Sequence, residues 1–258
     1  LVTLRINDIE FSYPSVSVLK GISMEIMPGE IVAIIGKNGA GKSTLIKCMN
    51  RILEPGKGKV FLGEKELKRM KGKDIAKSMA YLSQKASYVF PVTVFDVVLS
   101  GRYPHLARNS GQRDEVRAAE VLKMMELENL AMRYFNEISG GQQQQVLIAR
   151  ALAQEASILL LDEPTSDLDI KHQLEVMETV RKLVRDREIA SVITIHDLNL
   201  ASRYADRIVM LKNGLIFAAG DAASVLSARN IAEAYGVQVS INKVEGRPHI
   251  IPVCPLRS

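Results

Sequence analysis

Gly36-Lys37-Asn38-Gly39-Ala40-Gly41-Lys42-Ser43, followed by Thr44, combines residue types and spacing that suit one task, the cradling of nucleotide phosphates. Glycine lets successive backbone N–H groups turn into a single concavity. Lys42 can then reach the β- and γ-phosphates, and the Ser43 hydroxyl can ligate Mg2+. Further along, the apolar run Ile158-Leu159-Leu160-Leu161 ends in Asp162-Glu163. Two adjacent carboxylates repel, so each needs its own task. Asp162 suits holding Mg2+ through its water shell near Ser43, and Glu163 suits facing the γ-phosphate and polarising an attacking water. Between these runs, Ile138-Ser139-Gly140-Gly141-Gln142 puts a hydroxyl and two glycines at the start of another helical stretch, a second anion cradle by the same physics.

Such groups work only if rigid elements aim them. Ile31 to Ile35 is a β-branched run fit for a strand buried on both faces, and Lys42 to Leu53 carries apolar residues at helical spacing, so the glycine-rich run sits at a helix N-terminus. Residues 3–35 read as strands with a turn at Met27-Pro28-Gly29, Pro55 to Gly58 as a turn, and Lys59 to Leu62 and Met79 to Ser83 as strands. Helical spacing then dominates in Val94 to Ser100, Arg113 to Leu127 and Gly141 to Gln154. Strand and helix alternate again through Ser157 to Leu161, Lys171 to Arg185, Ser191 to Ile195 and Leu198 to Ala205, the pattern of a parallel α/β sheet. Arg207 to Leu211 and Leu215 to Ala219 form a hairpin across Asn213-Gly214.

With 258 residues the chain can bury roughly 70–75% of its unfolded surface, enough for a large core without disulfide staples. Cys48 and Cys254 stand far apart, without the spacing of a zinc site. A net charge of +5 fits an anionic ligand but equally a nucleic acid or a membrane surface. Tryptophan is absent and aromatics are few, which argues against a stacking platform for single-stranded nucleic acid. Lys65, Lys68, Arg69, Lys71 and Lys73 read as a solvated face. No apolar stretch approaches the roughly 20 residues that cross a bilayer, and residues 1–13 mix apolar and charged positions as a strand does, so a soluble, cytoplasmic chain is expected.

Taken in order, these runs resemble the nucleotide-binding subunit of an ATP-binding cassette (ABC) transporter, whose signature Leu-Ser-Gly-Gly-Gln is matched apart from Ile138. The resemblance covers essentially the whole chain. It implies that Tyr13 stacks on adenine, that Gln84 touches Mg2+ or the attacking water, and that Asp162 and Glu163 are the metal-coordinating and catalytic acids. It further implies that Ser166-Asp167-Leu168-Asp169 joins two active sites and that His196 contacts the γ-phosphate. Gln143-Gln144-Gln145 stands where relatives often carry Arg, and Asp167 occupies a usually small or variable position.

The fold implied is α/β: a phosphate-loop NTPase parallel sheet with an antiparallel β subdomain and an inserted helical subdomain. Residues 1–87 and 157–258 would form the catalytic core of a single 1–258 domain, and about 88–156 the helical signature subdomain. In the family Ser139, Gly140, Gly141 and Gln142 close over the ATP of a second copy, giving a two-fold homodimer with two sandwiched ATP and Mg2+ as cofactor. Hydrolysis then reopens the pair. The region from Gln84 to His105 would dock transmembrane permease subunits at the cytoplasmic face of the membrane, with a periplasmic or extracellular binding protein acting indirectly and no nucleic acid involved. Thr93-Val94-Phe95-Asp96-Val97-Val98 and Gly101-Arg102-Tyr103-Pro104 are similar to importers of iron-siderophore, haem, cobalamin and related metal chelates. The alternative is a cassette ATPase of DNA repair or translation. Repair ATPases usually carry long heptad arms, absent between Ser43 and Ile138, and translation factors usually carry two cassettes where this chain has one.

Overall fold

A computed structural model describes residues 2–83, 91–105, 111–166 and 168–256. Gln84 and Asp167, both expected in the site, lie outside the described residues.

Alternating burial builds the entry strands. In β1 (Leu4–Tyr13), Leu4 and Ile6 are buried while Arg5 and Asn7 face out, and Asp8 at φ 52 bulges the strand so that Ile9 stays inside. It pairs antiparallel with β2 (Val16–Ile26), and β3 (Ile31–Ile35) follows with all five residues buried. Helix α1 (Lys42–Met49) ends four residues earlier than its apolar spacing suggests. Arg51 turns left-handed at φ 54, and the N–H groups of Ile52 and Leu53 both donate to the Lys47 carbonyl, which closes the helix.

The turn expected over Pro55 to Gly58 is shorter than that, because β4 (Lys57–Leu62) already starts at Lys57. Gly58 sits in the strand at φ 85, where a Cβ would stand 2.3 Å from the Asp8 carbonyl, so glycine permits the close crossing over β1. Together with β5 (Lys65–Glu66) these strands form an antiparallel sheet in the order β2-β1-β4-β5. On its rim Lys68 and Arg69 pair with Glu54 and Glu66 at 2.8 and 3.6 Å.

Next come α2 (Gly72–Ser78), β6 (Met79–Leu82), α3 (Val94–Ser100), α4 (Gly111–Met124) and α5 (Gly140–Ala153). Helix α4 stops short of Leu127 because Glu126 adopts φ 57. Arg102, 4% exposed, binds this helical layer together: it donates to Asp114 of α4 at 2.9 Å, to the Ala153 carbonyl at the end of α5 at 2.7 Å and to Glu155 at 2.7 Å.

The chain then alternates through β7 (Ile158–Asp162), α6 (Ile170–Arg187), β8 (Ala190–Thr194), α7 (Leu198–Tyr204), β9 (Arg207–Lys212) and β10 (Leu215–Gly220). The central sheet has the order β10-β9-β3-β8-β7-β6, parallel except for β10. Asn213 and Gly214 both hold positive φ, 51 and 81, as a two-residue hairpin turn with the right twist requires. Sequence patterning does not anticipate the last elements of the chain, which are α8 (Ala222–Val225), α9 (Ala228–Tyr235) and a hairpin of β11 (Val237–Val244) and β12 (Arg247–Pro255).

Both faces of the central sheet are covered, which is why β3 is apolar and buried at all five positions. Ile31, Ala33 and Ile35 of β3 face a core shared with α3, α4, α5 and α6, whereas Val32 and Ile34 face one shared with α1, β1 and β2. The loops at the carboxyl ends of β3, β7 and β8 therefore emerge side by side.

Candidate active site

The glycine-rich run leaves β3 and enters α1 as the sequence implies. Gly36 adopts φ 148, and a Cβ there would stand 2.5 Å from the Leu211 carbonyl of β9. Gly41 is the N-cap of α1 in a left-handed conformation at φ 103, and Gly39 holds φ 81. Lys37, Asn38 and Gly39 are exposed, while Ala40 and Thr44 are buried under the turn. The Lys42 ammonium, 5% exposed, donates to the carbonyls of Gly36 at 2.9 Å and Lys37 at 3.3 Å. Burial pulls its pKa below the usual lysine value, and the carboxylates of Glu163 and Asp162 act against that pull. A cation is thus held under a ring of backbone groups, the arrangement a phosphate chain needs.

At the end of β7 the two acids diverge. Asp162 Oδ1 accepts from the Ser43 hydroxyl at 2.9 Å and from the Thr194 hydroxyl of β8 at 2.8 Å. The Glu163 backbone N–H donates to the Thr194 oxygen at 2.8 Å, and its carboxylate hydrogen-bonds Nε2 of His196. One continuous hydrogen-bonded chain therefore joins Ser43, Asp162, Thr194, Glu163 and His196 across three strand ends. Thr194 escaped the sequence reading. The available signal is a hydroxyl at the carboxyl end of a buried strand, although Ser191 in the same strand is buried without a partner among the described residues, so a hydroxyl alone does not single out Thr194. Tyr81 of β6 also borders Asp162, and burial together with that carboxylate pushes its phenol up to about 12. Ser43 and Asp162 offer hard oxygen donors side by side, a donor set that fits Mg2+ completed by phosphate oxygens.

Ser139 caps α5: its hydroxyl accepts the Gln142 N–H at 3.3 Å, and Gln142 Oε1 accepts the Ser139 N–H at 3.1 Å. Gly140 is open, with nothing within 4 Å of a Cβ built on it, whereas one on Gly141 would touch Leu168 at 3.5 Å. Gln143 donates to the Phe135 carbonyl at 3.0 Å, and Gln144 reaches the Pro164 carbonyl at 3.0 Å, fastening the signature helix to the loop after Glu163. Ser166 Oγ donates to the Glu163 carbonyl at 2.9 Å, and Asp169 caps α6 by accepting the His172 N–H at 3.0 Å. Among the described residues no hydrogen bond joins residues 139–142 to the glycine-rich run of the same chain. Tyr13, 42% exposed, ends β1 in an edge-to-face contact with Phe11.

A family model described as ABC transporter matches residues 19–166. The chain is 46% identical over 98% of its length to an uncharacterized ABC transporter ATP-binding protein of Methanocaldococcus jannaschii, covering 99% of that relative. It is 35% identical to the ferric enterobactin transport ATP-binding protein of Escherichia coli, with 97% of this chain and 94% of the relative covered. Among solved structures, an inward-facing metal-chelate type ABC transporter superposes with a TM-score of 0.85 at 28% identity over 98% of both chains. A dimeric ATP-binding cassette in a post-hydrolysis state with ADP and Pi superposes with a TM-score of 0.76 at 30% identity, covering 84% of this chain and 98% of the other.

Proposed function

This chain belongs to the ABC transporter family, as an ATP-binding subunit that hydrolyses ATP, and from that premise we propose that it powers a metal-chelate importer. The observation that carries the catalytic part is the hydrogen-bonded chain from Ser43 through Asp162, Thr194 and Glu163 to His196. ATP lies with its adenine on Tyr13 and its phosphates in the N–H groups of residues 36–44. Lys42 turns from the loop carbonyls to the β- and γ-phosphates. Ser43, Asp162 and Gln84 would hold Mg2+, which when bound neutralises charge on the phosphate oxygens. Glu163 accepts a proton from the attacking water, and His196, fixed by its bond to that carboxylate, contacts the γ-phosphate.

Residues 139–142 bond nothing in their own glycine-rich run, and the similarity to a dimeric cassette supports their closing over the ATP of a second copy. Ser166, Asp167, Leu168 and Asp169 then lie between the two sites. ATP favours the closed pair, and loss of the γ-phosphate contacts reopens it. We assign residues 88–156 to an inserted helical subdomain that carries this motion. Beside it lies a groove of about 510 Å3 lined by Tyr81, Val92, Asp96, Ser100, Tyr103 and Arg150, which suits a helix of a permease subunit. No helix among the described residues is long and apolar enough to cross a membrane, so the span would come from that partner and this chain would sit at the cytoplasmic face. A binding protein outside the membrane would deliver the cargo. Similarity to the ferric enterobactin relative and to the metal-chelate type structure supports an iron-siderophore, haem or cobalamin-like chelate.

Glu163→Gln tests the catalytic part. ATP binding should persist while turnover falls by about a thousandfold or more, and an ATP-bound dimer should accumulate on size exclusion. Wild-type turnover in this variant would assign the base elsewhere.

A further inference from the structure

Residues 222–256 carry none of the phosphate-handling motifs and lie beyond the 19–166 match, yet they touch both halves of the site. Helix α9 ends against the glycine-rich run. Burial pushes the Tyr235 phenol of its last turn up to about 12, and that hydroxyl is buried without a hydrogen-bond partner among the described residues. A Cβ on Gly236, which closes α9 at φ 68, would stand 3.4 Å from Lys37 Nζ. Lys212 of β9, next to the Leu211 carbonyl that abuts Gly36, pairs with Glu233 of α9 at 3.0 Å.

The hairpin takes hold of α7, the helix that starts two residues after His196. Asn199 donates Nδ2 to the Ile250 carbonyl at 3.1 Å and accepts the Ile250 N–H at 2.7 Å, pairing with β12 as a neighbouring strand would. Ser202 Oγ donates to the Pro248 carbonyl at 2.6 Å, and Arg247 donates to the carbonyls of Ser202 at 2.6 Å and Ala205 at 3.1 Å at the far end of the helix. The first turn is tied back toward His196, because Asp197 accepts the N–H groups of Asn199 at 2.7 Å and Leu200 at 3.1 Å.

We propose that α9 and the β11–β12 hairpin form a brace across the γ-phosphate site, in which Glu233, paired with Lys212, seats the end of α9 against the Gly36–Lys37 turn, and Asn199, clamped on Ile250, positions α7 and with it His196. This rests on the roles given above to the glycine-rich run and to His196. A helix fixed at both ends cannot rotate independently of the hairpin, and a hairpin continuous with α9 cannot shift without moving the floor of the phosphate turn. The two ends of the brace therefore act on different kinetic constants.

Full-length wild type, Asn199→Ala, Ser202→Ala, Glu233→Gln and His196→Ala are compared in steady-state ATP hydrolysis, with fluorescent-ATP titration and thermal melts. Asn199→Ala should lower kcat by about tenfold while changing nucleotide affinity less than about twofold, and Ser202→Ala, which loses a single bond, should move kcat the same way by less. Glu233→Gln, which breaks the ion pair with Lys212, should place its loss on KM and on nucleotide affinity, by about threefold. A merely structural role would lower kcat and affinity together, in step with the melting temperature, and that pattern overturns the proposal, as does wild-type behaviour of all three brace variants beside a slow His196→Ala. Wild-type turnover in His196→Ala overturns the assigned role of His196 and the brace together.

Discussion

Glu163 follows β7 with a left-handed backbone at φ 53, a conformation that costs a non-glycine residue roughly 1–3 kcal/mol. The turn separates two neighbouring acids: Asp162 stays with Ser43, and Glu163 swings to His196. Without it the carboxylates would sit on opposite faces of an extended strand, and only one could reach the phosphates. At the same scale the two cysteines differ in chemistry. Burial within α1 pushes the Cys48 thiol up to about 12, whereas Cys254 is exposed on β12. Alkylation at pH 8 should therefore label Cys254 promptly and Cys48 only in denaturant, as read by peptide mass mapping. Prompt native labelling of Cys48 would mean that α1 opens on the labelling timescale.

Among the elements, α5 carries a specific consequence. Its first turn leaves backbone N–H groups without intrahelical partners, and Ser139 satisfies part of that need through the capping box with Gln142. A Cβ at Gly140 meets no atom within 4 Å, and a carboxylate in the first turn of a helix is favourable to that helix. Gly140→Asp should therefore leave the melting temperature of the nucleotide-free chain unchanged. If the motif closes on the ATP of a second copy, the same variant should lose the ATP-dependent dimer and drop turnover by about tenfold or more, through repulsion from the γ-phosphate. Wild-type dimerisation would place the motif away from the nucleotide. The clean melt separates the effect from misfolding, which a substitution at the crowded Gly36 could not do.

Over the whole molecule, the helical layer is held by an ionic cluster in which Arg102 bonds Asp114 and Glu155, and Arg117 bonds Glu155. Burial raises the Glu155 pKa, but the guanidinium groups of Arg102 and Arg117 outweigh it and hold the carboxyl below its usual value. A depressed folded-state pKa contributes stability that is present above the unfolded value near 4.5 and is lost as pH falls through the folded value. Wild type should thus lose its thermal advantage over Glu155→Gln as pH falls below about 4.5, and a gap that stays constant to pH 3 would remove Glu155 from the acid response. Sequence alone determined the phosphate-binding run, the acidic strand end, the signature turn and the alternation that makes a parallel sheet, because backbone-directed chemistry and two-sided burial both demand particular residues at fixed local spacing. Tertiary structure alone decided that Thr194 links the two acids, that Glu163 turns left-handed toward His196, that Gln144 ties α5 to the loop after β7, and that the β11–β12 hairpin bonds along α7. Those contacts join residues distant along the chain, and the polar side chains that make them have no local periodicity by which to announce a partner.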